Sequence, residues 1–179
     1  PDAVRFELRR RAGSKPGPAA LKPAVADDAS ITEALRPSEA SELVARGWAH
    51  VRSGSFFEIS DAVSAFQAAT VIDPTFAAAY AGLAVAKVAQ ATNRNVLVEA
   101  FGEAKAAALR ALALDNKSPD AQAALGEVML FAEWDWIAAE RSFQRALAID
   151  RNHAHAYLRY GDLMEALGDL ERGFHLKLQ

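Results

Sequence analysis

Ala111-Leu-Ala-Leu-Asp115 and Ala146-Leu-Ala-Ile-Asp150 are near copies of one another, and Ala69-Thr-Val-Ile-Asp73 has the same outline. Each run alternates small and larger apolar residues and ends in an aspartate, as the last turn of a helix does before a turn residue. The terminal aspartates stand 42 and 35 residues apart. Such a period holds two helices and their connections. A chain that repeats this unit stacks it into a solenoid, because one helical hairpin cannot bury its apolar face alone. Beyond the aspartates come small-residue-rich segments at 77–91, 119–132 and 154–167, so the unit reads as a helical hairpin.

Composition agrees with a packed helical body. Of 179 residues, 51% are hydrophobic and 24% charged, enough apolar material for one sizeable core. Cysteine is absent, which excludes disulfides and thiolate metal sites and leaves packing to hold the fold. No run of about 18 uncharged apolar residues occurs, so a membrane span is not expected in this segment. The net charge of −3 is uneven: residues 1–23 carry Arg5, Arg9, Arg10, Arg11, Lys15 and Lys22 against Asp2 and Glu7, a net of +4 that leaves −7 on the rest. A cationic stretch on an acidic body suits an anionic surface, but with Gly13, Pro16, Gly17, Pro18 and Pro23 it reads as a linker, and no nucleic-acid binding is expected of it. The chain opens at Pro1 and stops at Gln179 inside an amphipathic run, which reads as part of a longer protein.

The residues at fixed offsets within each unit resemble the tetratricopeptide pattern, with small residues where paired helices touch and large ones between them. In the third unit these are Leu125, Gly126, Ala139, Phe143 and Ala146; the fourth opens with Tyr157, Gly161 and Gly168. The first has Gly47, Ala62, Phe66, Ala69 and Pro74, with three extra residues between its helices. The second has Tyr80, Leu83, Ala84, Ala104 and Ala111, with about eight extra residues around Gln90 to Leu97. The resemblance implies an all-α, right-handed superhelix of about four hairpins, at 38–73, 74–115, 119–150 and a truncated 154–179, preceded at 1–37 by a basic Pro/Gly-rich linker or the tail of an upstream domain. A narrower resemblance runs from Tyr80-Ala-Gly-Leu-Ala84 through Ala106–Asp115 to Glu133-Trp-Asp-Trp136. It is similar to the C-terminal tetratricopeptide tails of bacterial multidomain regulators, in which a winged-helix, cyclase or kinase effector stands upstream. That likeness implies a regulatory or adaptor role in the cytoplasm.

Start and stop signals predict helices at 38–53, 58–72, 74–91, 96–114, 119–132, 136–150, 152–167 and 169–179. Ser38, Asp73, Ser118, Asp135 and Asp169 are the expected N-caps, with Pro74 and Pro119 at the first helical position.

Candidates for chemistry are few. His153 and His155 are two apart on one helix and point to different faces, unlike the spacing of three or four that a helical metal pair needs, and His50 and His175 stand alone. No nucleophile–base grouping follows from local spacing, so no catalytic, cofactor or metal site is expected and the chain reads as non-enzymatic. Gly13 and Gly17 flank Ser14-Lys-Pro16 without the strand and following helix of a phosphate loop. Trp134-Asp-Trp136 has two readings, a hydrophobic staple of Trp134 onto Ala139 and an exposed aromatic anchor; solvent exposure separates them.

The tetratricopeptide resemblance also implies which positions of each first helix face the concave groove. Among these the candidate partner-binding residues are Val44, Trp48 and Val51; Ala81, Val85 and Val88; Asp120, Glu127, Leu130 and Phe131; and Leu158, Asp162 and Glu165, with Ser41, Ala78, Ala89, Ala123, His155 and Ala166 at the other groove positions. The expected groove grades from apolar to acidic, which suits a protein or peptide segment that is basic and apolar. Lys, Arg and Asn are missing from these positions, which disfavours carboxylate-clamp binding of chaperone peptides. The leading expectation is a protein-interaction scaffold without cofactor. The alternative is a structural spacer or homo-oligomerisation element whose groove is filled by its own chain, for instance by Val4-Arg-Phe-Glu-Leu-Arg-Arg10, or by a second copy.

Overall fold

The structure is a computed structural model that describes residues 28–93 and 98–179. Among these residues there are eight α-helices and no strand: α1 (Asp28–Ser53), α2 (Phe56–Ile72), α3 (Ala77–Asn93), α4 (Val98–Leu114), α5 (Pro119–Val128), α6 (Trp136–Ile149), α7 (Ala154–Ala166) and α8 (Leu170–Lys177). They pair as α1/α2, α3/α4, α5/α6 and α7/α8, and each hairpin packs on the next, giving the expected right-handed stack.

The repeated aspartates explain the punctuation. The backbone N–H groups of Asp73, Asp115 and Asp150 donate to Ala69, Ala111 and Ala146 at 2.9, 2.7 and 2.9 Å, closing α2, α4 and α6. Each carboxylate then accepts from the N–H two residues on, in Thr75, Lys117 and Asn152, at 2.8, 2.9 and 2.9 Å. One Asx turn is thus used three times to end a second helix and aim the chain at the next hairpin. Asp73 was expected to cap the following helix; instead it ends α2, and α3 begins at Ala77, beyond Pro74.

Other caps fall as expected. The side chains of Ser118, Asp135 and Asp169 accept from Ala121, Ala138 and Arg172 N–H at 3.3, 2.9 and 3.1 Å, and Pro119 holds the first turn of α5. Ser38 is no cap, because α1 starts ten residues earlier and runs through it, into the segment read as linker. α7 is capped by an unexpected residue, His153, whose Nδ1 accepts from Ala156 N–H at 3.1 Å. Only Gly54 and Ser55 separate α1 from α2, so the extra residues of the first unit lie within longer helices. Gly54 makes that corner at φ +69°, a left-handed conformation that suits glycine. α5 widens into a π-helical turn, Met129–Glu133, and the corner is completed by Trp134 at φ 56°. Asp135 N–H donates to Met129 O at 3.0 Å across this corner. Trp134 is 72% exposed, so the staple onto Ala139 is not formed, and the Asp135 cap and the bond to Met129 O hold the turn.

The core runs along the seams between helices. Ala62, Ala69, Ala104, Ala111, Ala139 and Ala146 are fully buried, as small contact residues must be where backbones approach. Phe66 and Phe143 are also fully buried, and each ring lies on glycine: Phe66 on Gly47 and Gly82, Phe143 on Gly126. Phe101, not singled out by the repeat pattern, fills the seam among α3, α4 and α5.

Candidate functional site

First helices of successive hairpins share one surface, so residues from all four units meet there. A cavity of about 350 Å³ opens in it. Its apolar wall is Trp48 and Val51 of α1, Ile59 of α2, and Val85, Val88 and Ala89 of α3. Trp48 stands edge-on to Phe66, ring centroids 5.5 Å apart, so packing behind the wall holds the indole in place. The polar wall comes from α5 and α7, with Asp120, Glu127, His155 and Arg159, and Arg52, Gly54 and Thr92 complete the lining. The Thr92 hydroxyl is turned onto its own helix, donating to Val88 O and Ala89 O at 3.1 Å each.

Electrostatics of the polar wall follow from burial. Glu127 is 1% exposed, and a carboxylate so deep requires partners. His155 Nε2 lies 2.5 Å from Glu127 Oε1 and Arg159 Nε 3.0 Å from Oε2, so both oxygens are engaged from α7, the arginine as a charge contact outside good hydrogen-bond alignment. Arg159 also donates to Asp162 at 3.1 Å and lies over the Phe131 ring, 5.9 Å from its centroid. Lys177 of α8 pairs with Asp162 at 2.7 Å and Glu165 at 2.9 Å. Asp120 Oδ1 accepts from His153 Nε2 at 3.1 Å. This bond to Asp120 pushes the His153 pKa above its ordinary value against the opposing effect of burial. The cap asks the reverse, because Nδ1 accepts from Ala156 only while it carries no proton.

Six of the sequence-selected residues meet at the cavity: Trp48, Val51, Val85, Val88, Asp120 and Glu127. The others are placed elsewhere. Val44 belongs to the cluster around Phe66, Ala81 is sealed against Ala111 and Ala121, and Leu130 packs on Phe143 and Leu163. Phe131 is half-buried beneath Arg159, Leu158 is 44% exposed, and Asp162 and Glu165 are tied to Lys177 outside the cavity lining. Register reasoning missed Arg159, although its spacing of four from His155 puts both on one helical face. It missed Ile59 because that residue belongs to a second helix, and Arg52, the position after Val51. The acidic end is also not free: its carboxylates are paired by Arg159 and Lys177 and contacted by His153 and His155.

Among the described residues, no group of three or more His, Asp or Glu side chains is arranged to hold a metal ion, and no helix is long and apolar enough to cross a membrane.

No protein-family model matches the sequence, and no curated protein matches it. Solved structures do. The thermophilic TPR protein TTC0263 of Thermus thermophilus superposes with TM-score 0.66 at 17% identity, over 82% of this chain and 76% of that one. The first TPR domain of human RPAP3 gives 0.57 at 20% identity, over 75% and 97%. The first TPR of Spaghetti (RPAP3), solved bound to the HSP90 peptide SRMEEVD, gives 0.55 at 19%, over 73% and 94%. At these identities the likeness concerns architecture, and the chain has the fold of a tetratricopeptide repeat solenoid.

Proposed function

We propose that the chain is a non-catalytic interaction scaffold whose groove holds a segment of a partner protein, as the sensor or adaptor part of a cytoplasmic bacterial regulator. One observation carries the reading: the cavity lined by Trp48, Val51, Val85 and Val88 is preformed, apolar and built from the first helices of adjacent repeats. A similar fold holds a peptide in the Spaghetti structure. The apolar part of the expected partner is retained. A strongly basic partner is less favoured, because the groove's carboxylates already have partners within the stack. The test is selection from a displayed library of random linear peptides, followed by titration against the Ala89→Trp variant, which fills the cavity from a half-buried position. Selected peptides should lose affinity about tenfold or more, the size of a lost anchor contact. Equal binding to the variant refutes the groove as the site.

The spacer or oligomerisation reading has one observation of its own. Leu167, Leu170, Phe174 and Leu178, on and beside α8, are 46%, 67%, 61% and 65% exposed, an apolar surface at one end of the described stack. Sedimentation of the protein and its Phe174→Glu variant tests it: a dimer that the substitution dissolves supports this reading, and a monomer at all concentrations rejects it. The third occupant considered for the groove, Val4–Arg10, lies outside the described residues.

A further inference from the structure

The chemistry of the cavity specifies what a bound segment must present. At about 350 Å³ the space is more than twice the roughly 150 Å³ of an apolar cavity that accepts benzene, so a bicyclic aromatic group fits where a Val or Leu side chain would leave it half empty. The apolar wall combines the Trp48 indole, fixed edge-on to Phe66, with the aliphatic surface of Val85 and Val88, against which it packs. The opposite wall looks acidic in sequence, but its carboxylates are already engaged by neighbouring side chains. Both oxygens of Glu127 are taken by His155 and Arg159, and Asp120 is bonded to His153. A lysine or arginine entering there would have to displace an existing partner of a carboxylate that is 1% exposed. Arg52 differs from the other charged lining residues: it is exposed, lines the same cavity, and has no ion-pair partner among the described residues. The charged lining side chain left without an ion-pair partner among the described residues is therefore a cation, Arg52.

We propose that this cavity is the anchor pocket of the groove and receives a large aromatic side chain, Trp-like in size, from a partner segment that carries an acidic residue beside it to meet Arg52. The proposal rests on the groove reading above and reverses the basic partner that the sequence suggests.

Two small probes with the same bicyclic body and opposite charge separate the alternatives: indole-3-propionate and tryptamine. Each is titrated into the intact protein while the Trp48 indole N–H is followed by ¹⁵N NMR, assigned with Trp134→Phe and Trp136→Phe. Indole-3-propionate should shift that resonance with a dissociation constant on the order of millimolar, as expected of so few atoms. Tryptamine should bind at least about fivefold more weakly, the size of one exposed charge interaction of each sign. Arg52→Glu, at an exposed position, should invert the order, and Ala89→Trp should abolish both shifts while the helical circular dichroism is unchanged.

Tryptamine binding as well as or better than indole-3-propionate would overturn the proposal, as would a preference indifferent to Arg52→Glu or no shift from either probe at tens of millimolar. These failures are distinct from failure of the groove itself. Selected peptides that need the cavity but lack an aromatic residue with an acidic neighbour would leave the groove reading standing and sink this one. Probe binding as described, beside selected peptides that ignore Ala89→Trp, would do the reverse.

Discussion

Phe66 offers a test of the packing logic in which two opposing effects are resolved by magnitude. The ring is fully buried, with its tip wedged between α1 and α3. A Cβ placed on Gly47 would stand 2.7 Å from Phe66 Cζ, and one on Gly82 closer still. Ordinary carbon contacts begin near 3.5 Å, so Gly47→Ala forces a displacement of about 0.8 Å or more in a close-packed seam. Overpacking of this kind costs roughly 1–3 kcal/mol, while alanine is favoured over glycine in a helix interior by about 1 kcal/mol. The clash should win, leaving the variant about 1 kcal/mol less stable. Leucine has no Cε or Cζ atom, so in a Phe66→Leu background the clash disappears and only the helix preference remains. There Gly47→Ala should stabilise by about 0.5–1 kcal/mol, a coupling of about 2 kcal/mol around the cycle. Urea unfolding of the four proteins, followed by circular dichroism, supplies the numbers. Effects of Gly47→Ala that agree in the two backgrounds within about 0.5 kcal/mol would refute the wedge.

Three further outcomes follow from the same structure. Phe143→Ala should cost roughly 3–5 kcal/mol in denaturant melts, because its ring is fully buried against Gly126 and is stacked on Tyr160 with centroids 6.2 Å apart. Arg159→Ala should destabilise more than Glu127→Gln in the same assay: the first leaves a carboxylate that is 1% exposed with only His155 beside it, while the second leaves an arginine whose side chain is 28% exposed and still paired with Asp162. His153 should make stability depend on pH. Its pKa is raised in the fold, so the added stability is fully present below the unfolded value of about 6.5 and is lost as pH rises through the folded one. The stability advantage of the wild type over His153→Asn, which can keep the cap but cannot titrate, should be larger at pH 6 than at pH 8; parallel pH profiles would refute this.

The architecture was legible because a solenoid writes its contacts locally. Ala69, Ala111 and Ala146 recur at the same place before an aspartate, and each is fully buried in the corresponding seam. What the sequence hid was the job of that aspartate, since an Asx turn and an N-cap use the same side chain and differ only in which N–H it meets. The π-helical turn before Trp134 was equally hidden, because left-handed corners are usually marked by glycine or asparagine and this one carries a tryptophan.

For the groove, the positions implied by the tetratricopeptide resemblance found the part of the apolar wall on α1 and α3, because that part needs only the register of the first helices. The polar wall depends on pairs 28 and 32 residues apart, Glu127 with His155 and with Arg159, which no local spacing encodes. Those pairs change the meaning of the acidic residues. Counted along the chain, Asp120, Glu127, Asp162 and Glu165 form a negative surface that should attract a basic peptide. Placed in the fold, they join α5 to α7 and α7 to α8, and each already has a partner within the stack. An interaction surface in a repeat protein is what remains after neighbouring repeats have used their own polar groups. Here that remainder is an aromatic and aliphatic cavity beside Arg52, which has no ion-pair partner among the described residues, and the partner we propose is the one whose chemistry complements it.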